Sequence, residues 1–272
     1  IFGKLGAPRL EIEGAAIGTL FARLFEFAVI VGYFFTRDSK IQYCVQDLRM
    51  KCISILHEYI MVSVPVFVSD GLLALGTTAV AMIMGRISKE FVSANSITFV
   101  TQQLSTVLIQ GICHAGCIVT GHTLGKGDTR KAQEQAWTFL ELGVSIGIVA
   151  GLIILVISEP MIQAYNITEH TKNIARQLMD AMALIIVFQS ANSILTKGVL
   201  RGGGDTKFLM VADILFLWIV SIPLGALAGL YWHLSAFWIY VFLKIDQVIK
   251  AIWCVFRLKS GKWIKTIKGS KK

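Results

Sequence analysis

The stretch KGVLRGGGDTKF, Lys197 to Phe208, admits two readings that lead to different folds. Three glycines, an acid, a Thr-Lys pair and flanking cations suggest a phosphate cradle, the mark of an α/β nucleotide-binding domain. A P-loop, however, needs GxxxxGK[ST] directly after a strand, with backbone amides turned toward the phosphates. The stretch lacks that spacing, and no strand–helix–strand alternation surrounds it. Its surroundings are apolar instead. Residues 174–199 before it and 208–232 after it each exceed the about 20 residues that cross a bilayer core as a helix. The loop is then a turn between two membrane helices. Glycine permits the positive φ needed just past a helix end, so Gly202, Gly203 and Gly204 are expected to form the turn. Asp205 is expected to cap the following helix. Arg201 and Lys207 hold the loop on one side of the membrane.

Composition leads the same way. The 272 residues are 55% hydrophobic and only 16% charged, with mean hydropathy +0.67, whereas a soluble domain carries roughly 25% charged residues. Seven candidate spans emerge: 14–35, 59–84, 92–120, 136–158, 174–199, 208–232 and 235–257. Turn-forming stretches such as GRISKE, SEPMIQAYNITEHTKN and LYWHLS separate them. The expected fold is all-α, a polytopic transmembrane helix bundle of about seven spans. Cys44, Cys52, Cys113, Cys117 and Cys254 are scattered, mostly in apolar runs, so no disulfide framework is expected. Cys113, His114, Cys117 and His122 sit on one apolar helix without paired CxxC spacing, and no metal site or other cofactor is expected from them.

Lys and Arg orient the bundle. With the C-terminus on the cytoplasmic side, the inner segments 36–58, 121–135, 197–207 and 250–272 hold 18 of the 26 cations, and the outer segments hold six. The tail from Arg257 to Lys272 carries seven cations and no acid. After an apolar span such a run faces anionic lipid rather than nucleic acid, with Trp263 at the headgroup level. Residues 36–58 are too polar to span. Ile41, Val45, Leu48, Cys52, Ile55 and Tyr59 recur at helical spacing there, as in an amphipathic helix lying on the inner surface.

A second loop echoes the first. GKGDTRK, Gly125 to Lys131, shares G-x-G-D-T followed by a base with GGGDTKF. Asp128 and Asp205 stand 77 residues apart, two spans along, which points to helical hairpins related by internal repetition. Gly127 and Asp128 are accordingly expected to serve as turn and cap.

Polar groups inside spans carry the functional expectation, because lipid penalises them. Asp70 follows Pro65 by five residues, and Ser63, Asp70 and Thr77 recur at intervals of seven near one helical face. Asn95, Thr98, Gln102, Thr106 and Gln110 form a polar stripe along the next span, which faces either a water-accessible cavity or a neighbouring helix. Gln189 and Asn192 add amides to the fifth span. Arg23 and Glu26 are placed to neutralise each other; Lys244 and Asp246 are candidate partners, and Lys250 lies four residues after Asp246. Asp180 and Asp213, near predicted span ends, are expected to be caps. The candidate ion-coupling and substrate residues are Asp70, Gln102, Gln110, Asn95, Thr77 and Asn192.

RGGGDTKF after one span, LGKGDTRKA after another, SVPVFVSDG opening a third and WIVSIPLGALAG (Trp218–Gly229) together resemble the multidrug and toxic compound extrusion (MATE) family, in order, from about Gly14 to Lys265. The resemblance implies two six-helix lobes related by a pseudo-twofold along the membrane normal. It also implies exchange of organic cations or drugs for Na+ or H+. On that comparison residues 1–35 are the last span of the first lobe, 36–58 a cytoplasmic linker, 59–257 the second lobe and 258–272 a basic cytoplasmic tail. Five spans of the first lobe have no counterpart here, so its coupling chemistry cannot be carried over, and that lobe is expected to be required as a partner. Asp70 matches, by type and approximate position, a family acid in the opening span of the second lobe.

The expected function is therefore secondary antiport by alternating access in the cell membrane. A small-molecule cation or drug is the substrate, Na+ or H+ the coupling ion and lipid the surroundings, with no nucleic acid partner. A lipid-linked saccharide flippase of similar architecture is the alternative; it would require a more cationic cavity, and only Arg23 and Lys244 stand out as in-span cations. A non-transporting membrane scaffold or fragment is the other. His57, His114, His122, His170 and His233 lack the company that catalysis needs, so no enzyme is expected.

Overall fold

The computed structural model describes residues 11–37 and 53–265, and every long element in them is a helix. Two units separate at Leu56/His57. The first contains α1 (Glu11–Arg37), an apolar helix on which Arg23 pairs with Glu26 at 2.8 Å. Most of the amphipathic stripe expected between residues 36 and 58 lies outside the described residues. The following helix already begins at Ile53, earlier than the sequence suggested.

The second unit holds α2 (Ile53–Ile87) from His57 onward, α3 (Lys89–Gly125), α4 (Thr129–Gln163), α5 (Glu169–Leu200), α6 (Thr206–Tyr231) and α7, which runs in two pieces, Ala236–Leu243 and Ile245–Lys259. Six described helices, α1 to α6, are long and apolar enough to cross a membrane as continuous elements. The seventh expected span is α7, broken at Lys244.

Local chemistry sets the helix ends. Ser88 accepts the amide proton of Phe91 and starts α3 one residue after α2 ends. Gly127, at φ +83°, reverses the chain after α3, and the Asp128 carboxylate accepts from the Lys131 amide at 2.9 Å to start α4. Thr168 caps α5. Asp180 lies well inside that helix on its exposed side and caps nothing.

The α5–α6 turn departs from the sequence reading. Helical conformation continues through Gly202, so Lys197 and Arg201 stand on the helix rather than in a loop. Of the three glycines only Gly204 has positive φ, +79°. Gly202 and Gly203 permit close approach: a Cβ on Gly202 would sit 2.7 Å from the Cys117 carbonyl, and one on Gly203 would run into the Trp263 ring. Asp205 stands at the cap position of α6, but its side chain caps no amide. It accepts from Arg257 Nε at 2.7 Å, with Lys265 Nζ at 3.6 Å.

Trp263 gives a second correction. Instead of lying at the headgroup level it is fully buried. Its indole donates to Gln133 Oε1 at 2.8 Å, while Gln133 Nε2 donates to the Leu258 carbonyl. The Lys265 amide then donates to the Gly203 carbonyl at 3.1 Å. Residues 260–265 thus hook back across the ends of α4, α5 and α7. Elsewhere α4 meets α5 along Gly143, Gly147 and Gly151, and side chains at the last two would collide with Val187 and Ala183 backbone. Small residues let membrane helices approach closely, and here they make the central packing of the unit.

Candidate functional site

Two polar regions lie in the second unit, one buried and one exposed, and adjacent residues of α2 belong to each. In a helix consecutive side chains diverge by about 100°. Ser69 turns inward and is buried, whereas the Asp70 side chain is 52% exposed.

Inward, the Ser69 hydroxyl donates to Asp213 Oδ2 at 2.6 Å. Asp213 is therefore no helix cap; it faces Lys250 Nζ of α7 at 3.2 Å. Lys250 also pairs with Asp246 Oδ2 at 3.0 Å, the i,i+4 partner noted from the sequence. Gln247 Nε2 donates to Asp246 Oδ2 at 2.7 Å, and Asn192 Nδ2 donates to Gln247 Oε1 at 2.8 Å. The chain of contacts thus links α2, α6, α7 and α5. Asp246 and Lys250 are each 2% exposed. Two carboxylates share one ammonium, and a charge removed from water needs compensation from partners held in good geometry. The side-chain oxygen Oδ1 of Asn192, buried beside this network, receives no hydrogen bond among the described residues.

The helices bend their own backbone to make room. α5 widens into π-helical turns over Ile194–Leu200, directly after Asn192, and α6 does so over Leu215–Ser221 and Leu227–Tyr231. The break of α7 at Lys244 frees carbonyls, and the buried Ser221 hydroxyl donates to that of Leu243 at 2.6 Å. It also lies 3.3 Å from Asp246 Oδ1. Wide helical turns of this kind recur at functional sites.

Outward, Arg201 Nη2 lies 3.1 Å from Asp70 Oδ1, joining α2 to the end of α5. Arg201 Nε is buried without a partner. Gln102 Nε2 donates to Gln189 Oε1 at 2.8 Å, joining α3 to α5. Gln189, Ser193, Lys197 and Arg201 recur every four residues along α5, and Lys197 is exposed with no ion-pair partner among the described residues. The structure does not bring all the sequence candidates together. Thr77 and Thr98 bond to carbonyls of their own helices, Gln110 is exposed, and Asn95 is half-buried away from the buried network's contacts. Asn192 belongs to the buried network rather than the exposed face. Lys250, Asp213, Ser69, Ser221, Gln189 and Gln247 were not among the candidates. The Asp246–Lys250 spacing and the polar types of Gln189 and Asp213 within apolar spans signalled some of them, but which face of each helix turns inward is a property of packing.

Known proteins share the helical fold. A sequence model of the MatE family matches residues 65–227, which runs from α2 into α6. The chain is 23% identical over 266 residues to the probable multidrug resistance protein NorM of Xylella fastidiosa, covering 95% of this chain and 56% of that protein. It is 26% identical over 273 residues to the multidrug resistance protein MdtK of Yersinia pseudotuberculosis, covering 95% and 58%. Among solved structures, an outward-facing multidrug resistance MATE transporter of the MOP superfamily superposes with TM-score 0.79 at 16% identity, over 92% of this chain and 56% of that one. The Vibrio cholerae MATE transporter VcmN in its bent form gives 0.76 at 13% identity, over 94% and 58%. The chain spans about half the length of the relatives it matches. The family match over most of the second unit, joined to a common helical fold, establishes that the chain belongs to the MatE family.

Proposed function

We propose that this chain supplies the second lobe of a secondary antiporter that exports organic cations or drugs in exchange for Na+ or H+. The observation that carries this reading is the buried Asp213–Lys250–Asp246 network, in which two carboxylates share one ammonium. The ionised network holds one net negative charge, which a single proton or Na+ neutralises. Ser69 and Asp70 then connect ion and substrate. Loading the network weakens the Asp213 acceptor that holds Ser69; α2 shifts, and the Asp70–Arg201 pair on the exposed face changes with it. Polar side chains exposed at membrane depth avoid lipid. The α2, α3 and α5 face bearing Asp70, Gln102 and Gln189 is therefore the side that meets the other lobe across the substrate path. Coupling follows when ion and substrate favour different arrangements of that face.

Ethidium efflux from cells expressing the protein as its gene encodes it, driven in turn by Na+ and pH gradients, tests this function. Efflux that follows one gradient and is abolished in D213N and D246N supports it. Efflux indifferent to both gradients, or unchanged in those variants, rejects it.

A second reading, a flippase or exporter of phosphate-bearing substrates, gains one specific observation. Lys197 lies on helix α5, exposed and without an ion-pair partner among the described residues, one turn from Arg201. Asp180 lies exposed on the same helix toward its other end, turned away from that face. If K197Q spares ethidium efflux, the cationic half of the face serves another class of substrate.

A further inference from the structure

We infer that the hollow between the end of α3 and the start of α4 binds the headgroup of an anionic phospholipid. This hollow, about 480 Å³, lies outside both polar regions described above. Ile118, Val119, His122 and Lys126 line it from α3, and Asp128 and Lys131 from the start of α4. Positions 118, 122 and 126 share one side of α3, with 119 beside them, across about 12 Å of helix rise. The membrane-core end of that face is apolar, with Ile118 72% exposed, and the outer end is cationic. A phospholipid presents the same sequence of chemistry, an acyl chain followed by a phosphate.

The charges in the hollow are free to act on a ligand. Neither Lys126 nor Lys131 has an ion-pair partner among the described residues, and His122 adds a third donor. The neighbouring Arg130 is different: it is exposed and paired with Glu134 at 3.2 Å. Asp128 opposes an anion, but its carboxylate already accepts the Lys131 amide as a helix cap. The rear of the hollow is closed by Thr123, whose hydroxyl donates to Gln135 Oε1 at 2.8 Å. Two lysines against one carboxylate leave the hollow net positive. Basic pockets between membrane helices on the cation-rich side recognise anionic headgroups by this combination of charge and depth.

The test is native mass spectrometry of the purified chain released from detergent with phosphatidylglycerol or phosphatidylcholine. Selective retention of phosphatidylglycerol is expected. In K126Q/K131Q it should weaken about 30-fold, the attraction of two lysines near an anionic surface, and in K126R/K131R it should persist. Inorganic phosphate, lacking the acyl chain, should fail to displace the lipid. Equal retention of the two lipids overturns the proposal, as does phosphatidylglycerol binding unchanged in K126Q/K131Q. Full displacement by inorganic phosphate overturns it in favour of a free-phosphate site. Ethidium efflux does not enter these outcomes, so they stand apart from the antiport reading.

Discussion

Removing the Lys250 ammonium would leave Asp213 and Asp246 buried without their shared counter-charge. Breaking a buried pair at one partner is strongly destabilising, so K250M is expected to lose about 3–5 kcal/mol, read as a lowered melting temperature in detergent. K250M/D246N should recover part of that loss, because one of the stranded charges is gone. Recovery absent from the double variant would mean that Lys250 acts through packing alone. Asp70 behaves differently. Its pair with Arg201 is half-exposed, and D70N should change stability by no more than about 1 kcal/mol while altering efflux. The sequence singled out Asp70 but passed over Ser69, its neighbour. Both residues are visible in SVPVFVSDG, and neither position tells which one the packed lobe turns inward. Asp213 was misassigned for the same reason: its partners lie 144 and 37 residues away in the chain.

At the scale of elements, the two loops that look alike in sequence are built for different ends. Gly127 has φ +83° and open space around it, so G127A meets only backbone strain, about 1 kcal/mol. G203A meets the Trp263 ring and should be destabilised well beyond that, with W263L restoring part of the loss in the double variant. Chemical denaturation of the three variants checks both statements. The helices, their order and the Asp128 cap were legible because each depends on residues close in the chain. The true role of Asp205 was not, since its partners Arg257 and Lys265 come from the last turn of α7 and from beyond it. Nor was the burial of Trp263: a tryptophan in a basic tail after an apolar span carries the same local pattern whether it meets lipid or protein.

For the molecule as a whole, the cation bias survives the structure. Setting aside Lys197 and Lys250, which lie within helices, still leaves well over twice as many Lys and Arg on the proposed inner side. S260C in a background freed of native cysteines should therefore react with an impermeant maleimide only from the cytoplasm. Labelling from outside the cell would invert the topology. The second unit, His57–Lys272, carries the buried network, the exposed polar face and the lipid hollow alike. The echo of G-x-G-D-T pointed to helical hairpins related by repetition, whereas the interlocking of the helix ends was not legible.

The hook formed by residues 260–265 also bears on how the lobe is made. Trp263 and Lys265 follow all six helices of the unit in the order of synthesis, yet they fasten the ends of helices that left the ribosome much earlier. Until those residues emerge, Gly203 and Gln133 face an open gap, and Asp205 has only Arg257 of its two cationic partners. Helix insertion can run ahead, but final closure of this end waits for residues 260–265. A chain truncated after Lys259 should therefore still insert its helices in the bilayer while this end of the lobe stays susceptible to protease.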